Sequence, residues 1–388
     1  MAGGLAGPAA LGASAGLRDV VVAETELGDV RGEEGFYHYR QYSAIEVSGR
    51  LSFEDAWYLL IYGELPSPAQ RAVFAREVSA LRALPGPVVA ALPLLDRSSA
   101  RGEPLSALRS AVSLLAGVEG FGPSLDADPA TLRRQALRVA AVVPTIVAGL
   151  HRTSLGLEPL DPRPDLGHAA NYLYLLRGVE APPDEARAVE QYLTLTIDHG
   201  FNASTFAARV VASTGADLGS AVVAAVGALS GPLHGGAPSR ALDTLDAIGS
   251  PERAEAWVRA AIASGQKIMG FGHAVYKTED PRSRLLREVA KGLGGPLVDF
   301  AEQVEGTVLR LLAELKPERR LYTNVEFYAG VVMDRCGLPR ELFTPTFACS
   351  RTVGWCAQIL EQAAHNRLIR PSALYVGPPP PEPLPAFG

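Results

Sequence analysis

The chain has 388 residues, 47% of them hydrophobic and 20% charged, an ordinary balance for a globular enzyme whose length suggests two or three domains. A formal net charge of −6 argues against general attraction to nucleic acid or to an anionic membrane surface, so arginines must be concentrated locally wherever an anionic ligand binds. The three cysteines, Cys336, Cys349 and Cys356, form no even disulfide framework and have no zinc-site spacing, which fits a reducing, cytoplasmic setting.

The first 17 residues, MAGGLAGPAALGASAGL, are rich in Gly and Ala and lack the basic start of a secretory signal, so residues 1–17 read as a disordered leader. Residues 18–45, with VVVAET and FYHYRQY, read as extended, in a small sheet. From there the punctuation is helical. Ser52 with Asp55 has capping-box form before AWYLLIYG, which Gly63 and Pro66 stop. Ser67 with Gln70 repeats the signal, with Pro68 at the first helical position. Alanine- and leucine-rich blocks at helical spacing follow at 69–84, 105–117, 130–149, 184–213, 217–229, 251–265 and 283–314. Thr344-Pro345 opens a last helix running to about Arg367, and the proline-rich end from Gly377 reads as a tail. The apolar runs 139–149 and 221–229 are far short of the roughly 20 residues a membrane-spanning helix needs. The pattern predicts an all-α protein.

Several chemistries can be set aside. The chain has no G-x-S-x-G elbow, no P-loop and no H-E-x-x-H, and Gly270-x-Gly272 lacks the third glycine and the preceding strand of a dinucleotide fingerprint. Of seven histidines, His234 in GPLHGGAP and His273 in GFGHAVYKTEDPRS sit in glycine-rich joints, where a ligand can approach the backbone closely. His199, in IDHGFNAST, lies in polar punctuation; His38, His151, His168 and His365 read as packed or surface residues. A packed role stays open for the other three as well. Arg351 stands between Phe347 and Trp355 on an apolar helix face, where either a structural ion pair or an anion site would explain a charge. Arg282 follows His273 by nine residues, and Arg370 precedes Pro371. Glu326, in NVEFY, is a carboxylate among apolar neighbours: burial there would raise its pKa toward that of a base, whereas a short surface strand would leave it ordinary.

Taken in order, GPLHGG, GFGHAVYKTEDPR, NVEFYAG, FACSRTVGW and RLIRPSALYVGP closely resemble citrate synthase motifs, as do GLRDVVVAETELGDV and SFEDAWYLLIYGELP nearer the start. The resemblance covers roughly residues 17–377. It implies an almost all-α homodimer with a large helical domain, 18–236 plus 336–377, and a small domain, 237–335, that closes over the site, leaving 378–388 as the tail. It also implies condensation of acetyl-CoA with oxaloacetate and water to give citrate and CoA, with no metal and no cofactor beyond the acyl-CoA substrate.

By matching motif, His234 meets the thioester oxygen, Glu326 removes the neighbouring proton, and His273 donates to the oxaloacetate ketone. His199, Arg282 and Arg351 bind oxaloacetate, Arg370 reaches the partner subunit's site, and Lys277 lies near CoA phosphate. One position departs from the pattern: the motif expected as NVD reads NVE, and the extra methylene can displace a carboxylate by roughly 1 Å, enough to lose on the order of 100-fold in rate. Two other functions follow from the same residues, a 2-methylcitrate synthase using propionyl-CoA and a non-catalytic CoA or oxaloacetate sensor.

Overall fold

The Ser52 hydroxyl accepts the Asp55 N–H, while the Asp55 carboxylate accepts the Ser52 N–H, and Gly63 closes the helix at φ 86°. Ser67 and Gln70 form the same reciprocal pair with Pro68 at the first helical position. The computed structural model describes residues 15–17, 20–98, 103–234, 237–273, 275–378 and 381. Sixteen α-helices and one three-stranded sheet lie among them, an all-α architecture. Most of the expected leader (1–14) and of the tail (379, 380 and 382–388) falls outside the described residues, as do Gly235, Gly236 and Ala274 of the two histidine loops.

The sheet is antiparallel, β1 (Gly28–Arg31), β2 (Phe36–Tyr39) and β3 (Tyr42–Ser43) in that order, with Gly28 opposite Tyr39 and His38 opposite Ser43. VVVAET does not join it; Val21 is 88% exposed, and no described strand pairs with that run. The helices α1 (Ala44–Arg50), α2 (Phe53–Tyr62) and α3 (Pro68–Ala80) follow. Next come α4 (Gly86–Ser98), α5 (Pro104–Val118), α6 (Pro129–Ser154) and α7 (His168–Arg177). Then α8 (Pro183–Thr196), α9 (Ala203–Ser213) and α10 (Leu218–Leu229) lead to α11 (Ala237–Ile248) and α12 (Pro251–Ala263). The chain ends with α13 (Pro281–Leu293), α14 (Pro296–Leu315), α15 (Val325–Arg335) and α16 (Phe343–Ala364).

The centre of the core is α16, almost wholly buried from Phe343 to Ile359, with α2, α6, α8, α9 and α10 packed around it. The helices α11 to α15 pack largely on one another, while α13 and α15 also touch α8 and α11 touches α16. The site lies where these two sets of helices meet.

Three helical blocks differ from the sequence pattern, each for a local reason. The block 184–213 is two helices, broken at 197–202, where Gly200 takes φ 60° and Asn202 caps α9 by accepting the Thr205 N–H. The block 283–314 breaks at Gly294 and Gly295, both at positive φ. Helix α16 begins at Phe343 with Leu342 as its cap, so Pro345 is the third helical residue, where its missing N–H has no intrahelical acceptor to serve. Glu326 sits in the first turn of a helix rather than on a strand: the β-forming NVEFY is helical because its apolar residues are buried against neighbouring helices.

Candidate active site

One buried carboxylate organises much of the site. Asp280 caps α13 by accepting the Arg282 N–H at 3.0 Å, and it forks onto the Arg282 guanidinium through Nε at 3.0 Å and Nη2 at 2.9 Å. Its Oδ2 also accepts the N–H of Val325, the first residue of α15, at 3.1 Å. Asp280 thereby fixes the start of the helix carrying Arg282 against the start of the helix carrying Glu326. Burial works against the Arg282 charge, but the Asp280 field outweighs it and holds the guanidinium firmly protonated. The rings of Tyr37 and Tyr276 flank that guanidinium, 5.9 and 5.6 Å from their centroids.

The backbone fixes the proton on His273. Its Nδ1 accepts the N–H groups of Val275 at 3.0 Å and Tyr276 at 2.9 Å, so it must carry a lone pair. Burial, with Arg282 and Lys277 nearby, lowers its pKa to about 4 despite Asp280, so the ring is neutral at physiological pH. The remaining proton is then on Nε2, 3.3 Å from Nη2 of Arg282. Two donors side by side are satisfied together by an oxygen between them.

His199 stands at right angles to His273, with ring centroids 6.2 Å apart, and its Nε2 is 3.0 Å from the Tyr276 hydroxyl. Burial and then the charges of Arg282 and Arg351 push its pKa well below the usual histidine value. His234 follows α10 in a turn closed by its N–H donating to the Gly231 carbonyl at 2.9 Å. Its Nε2 lies 2.9 Å from Oγ of Ser204, which also accepts the Trp355 indole N–H at 3.1 Å. The Ser204 hydroxyl donates to Asn202 Oδ1 at 2.8 Å, and the role of the His234 ring nitrogen beside it is set by the tautomer of that ring. Burial and Arg351 lower the His234 pKa, so this ring is neutral too.

Arg351 is buried in α16, donating from Nε to the Thr196 carbonyl at 2.7 Å and lying 4.5 Å over the Phe347 ring. Among the described residues no carboxylate is within ion-pair distance of it; Asp198 offsets its charge from farther away. That resolves the sequence ambiguity against a simple structural ion pair. Burial pushes the Asp198 carboxyl up, and Arg351 and Gln358 partly restore it.

Glu326 is half-buried at the N-terminus of α15, its N–H donating to Oδ1 of the cap residue Asn324 at 3.0 Å. Burial raises its pKa to about 7; Arg282 and Arg351 lower it, and Asp280 raises it further. The loop before it is laced to the His273 loop. Gly272 N–H donates to the Tyr322 carbonyl at 2.7 Å, Asn324 N–H to the Gly270 carbonyl at 2.9 Å, and Asn324 Nδ2 to the Gly272 carbonyl at 2.9 Å. Gly270 sits at φ 89°, and a Cβ there would lie 2.8 Å from the Phe327 ring.

The structure therefore gathers His199, His273, Arg282, Arg351 and Glu326 into one electrostatic neighbourhood, with His234 joined through Ser204, Trp355 and the Arg351 field. Lys277 is exposed beside it and lines a cavity of about 420 Å³ with His273, Arg319 and Arg320. Arg370 is exposed on the segment after α16 and lines a different cavity, with Arg209, Arg367 and Phe206; no described contact joins it to the histidine cluster. Sequence reading passed over Asp198, Ser204, Tyr276 and Asp280. Of these only Asp280 had a local signal, an aspartate before proline at a helix start.

The geometry agrees with known proteins along nearly the whole chain. The family model for the citrate synthase C-terminal domain matches residues 16–372. A citrate synthase from Deinococcus radiodurans is 38% identical over 364 residues, covering 93% of this chain and 95% of that one. A 2-methylcitrate synthase from Mycobacterium tuberculosis is 39% identical over 362 residues, covering 93% and 90%. The solved citrate synthase from Thermoplasma acidophilum, a ternary complex with carboxymethyl coenzyme A and oxaloacetate, superposes with a TM-score of 0.88 at 31% identity, covering 96% of this chain and 98% of that one. The match over residues 16–372 and relatives 38–39% identical over most of the chain place it in the citrate synthase family, as an enzyme that transfers an acyl group in a condensation.

Proposed function

We propose that the protein condenses acetyl-CoA with oxaloacetate and water to give citrate and CoA. The observation that carries the reading is His273, whose two backbone contacts leave a neutral Nε2–H beside Arg282. An oxaloacetate ketone oxygen accepts from that N–H, and its carboxylates are met by Arg282, Arg351 and His199. The Glu326 carboxylate takes a proton from the methyl of the thioester while His234 donates to the developing enol oxygen. The enolate carbon attacks the ketone carbon while the His273 Nε2–H and Arg282 hold the developing alkoxide, which ends with the proton that Glu326 took from the methyl; water then adds to the citryl thioester carbonyl, and the carbon–sulfur bond breaks to release CoA as its thiol. One hydrogen-bond donor to such an oxyanion is worth about 2.7–4 kcal/mol in other enzymes.

Donation from His234 to the thioester requires the neutral tautomer that carries its proton on the ring nitrogen facing the substrate. Residues 237–335 act as the small domain that closes on the substrates, excluding water while the enol forms. Lys277, exposed beside the His273 cavity, meets CoA phosphate. Arg370 serves the partner's site in a homodimer, and the three buried thiols suit the reducing cytoplasm.

A second reading, propionyl-CoA as the acyl donor, is supported by the 2-methylcitrate synthase relative; one methyl in a pocket is worth only about 1–3 kcal/mol. The test is free-thiol release from each thioester, with and without oxaloacetate. Oxaloacetate-dependent release with higher kcat/KM for acetyl-CoA supports the first reading, and the reverse order supports the second. Bound oxaloacetate with no release from either thioester would leave a sensor.

A further inference from the structure

Glu305, on α14, is a buried carboxylate with three short hydrogen bonds and no contact with any residue assigned above to substrate. Its Oε1 accepts from Oγ1 of Thr323 at 2.5 Å and from Nη2 of Arg287 at 2.6 Å, and its Oε2 accepts from the Tyr328 hydroxyl at 2.6 Å. These partners come from three places that matter to the site. Thr323 is the residue before Asn324, the cap that holds the Glu326 N–H, and it bridges to Phe271 in the His273 loop. Tyr328 lies two residues after Glu326 on α15, and Arg287 lies five residues after Arg282 on α13. Arg287 also pairs with Glu279 at 3.1 Å, beside Asp280, and lies 5.5 Å over the Tyr328 ring.

A carboxylate so placed can do no chemistry on a ligand, because its acceptor sites are taken by donors from the scaffold. Its effect is mechanical. Asp280 ties α13 to α15 at their first residues, and Glu305 ties the same two helices and the preceding turn from a second point, sharing Arg287 with Glu279. Two fixed points define the direction in which the first turn of α15 presents its side chains. Glu305 adds its bonds to those by which Gly270, Gly272 and Asn324 lace the preceding turn to the His273 loop. We propose that Glu305 is a positioning residue for the condensation, holding the Thr323 turn so that the long Glu326 side chain meets the substrate carbon. This rests on the reading of Glu326 as the base.

The sharpest probe is Thr323→Val, close to isosteric, which deletes one hydroxyl and leaves Glu305 paired to Arg287 and Tyr328. A shift of about 1 Å in the base is worth roughly 100-fold in rate, so kcat per folded molecule should fall by about 10- to 100-fold. Oxaloacetate affinity should stay within about threefold, since Arg282 keeps Asp280. The acid limb of the kcat–pH profile should move, and Thr323→Ser should restore most of kcat. If Thr323→Val folds poorly, Tyr328→Phe removes a different bond from the same carboxylate and should likewise lower kcat and move the limb. A merely structural role would lower the melting temperature while kcat per folded molecule and the pH limb stayed at wild-type values, and that result would overturn the proposal. Absence of oxaloacetate-dependent thiol release in the wild-type protein would instead overturn the reading of the site. In that case the ¹³C-carboxyl titration of Glu326 still reports on the tether: a midpoint unchanged by Thr323→Val removes Glu305 as its support.

Discussion

The two sides of the site are held by different means. Arg351 and His199 rest mainly on packing, with one hydrogen bond each, to the Thr196 carbonyl and the Tyr276 hydroxyl: Arg351 is one of many buried residues of α16, and the turn carrying His199 lies against Gly354, where a Cβ would meet the Ile197 carbonyl oxygen. His273, Arg282 and Glu326 rest instead on hydrogen-bonded polar groups, a short ribbon between two loops and the carboxylates Asp280 and Glu305. Close packing fixes a position through many small contacts, whereas a buried carboxylate fixes it through a few bonds whose partners depend on one another. The packed side should tolerate the loss of a charge better than it tolerates added volume. The polar side should show the reverse.

The largest effect is expected on the polar side, at the base. Glu326→Gln keeps the shape and removes the proton acceptor, so kcat should drop by about 10²- to 10⁴-fold while calorimetry finds oxaloacetate binding nearly unchanged. Retained turnover would remove Glu326 as the base. Next, Arg282→Leu leaves Asp280 buried with its forked partner gone, and denaturant unfolding should show a loss of about 3–5 kcal/mol. Arg351→Leu, with no carboxylate in ion-pair contact among the described residues, should lose less than half of that, although both variants should bind oxaloacetate poorly. Equal losses would erase the distinction drawn between the two sides. Gly354→Ala adds one methyl on the packed side, where overpacking typically costs about 1–3 kcal/mol; weakened oxaloacetate binding should accompany it as the His199 turn is displaced.

The smallest effect concerns pH and stability. Folded Glu326 keeps its proton up to about 7, against about 4.3 in an unfolded chain. Folding therefore takes up a proton between those values, and the group's contribution, present below the lower value, is lost as pH rises through the upper one. Glu326→Gln should accordingly be more stable than wild type at pH 8, by about 1–3 kcal/mol, with the difference fading toward pH 4. The buried histidines act in the opposite sense. The pKa of His273 is lowered to about 4, so its contribution is present above about 6.5 and is lost as pH falls toward 4.

Local signals and motif order made much of this legible in the sequence. The Ser52 and Ser67 caps and the Gly63 stop involve groups a few residues apart, and each appears as read. Two of the histidines left out of the chemistry take a packed and a surface position. His168 is packed between Phe53 and Trp57, while His365 is exposed. The sequence was less informative where the deciding partner is far along the chain. No spacing indicates that Ser204 meets His234, that Tyr276 meets His199, or that Glu305 gathers Thr323, Arg287 and Tyr328. The break at 197–202, made by Gly200 and the Asn202 cap, was masked by the helix-forming residues on both sides, and α15 was masked by its β-branched and aromatic composition, which burial in the assembled core overrides. Glutamate in the NVE motif looked like a defect in isolation. In the structure burial raises its pKa to about 7, an effect of neighbours distant in the chain.

The most direct test is the pH dependence of kcat/KM for oxaloacetate-dependent thiol release from acetyl-CoA, measured in parallel for the wild-type protein and for Glu326→Gln. The account predicts a wild-type rate that falls below pH 7 with an apparent pKa close to the value of about 7 for Glu326, and a residual rate in the variant without that limb. A wild-type rate that stays level down to pH 5, or a variant that keeps both the rate and the limb, would contradict it.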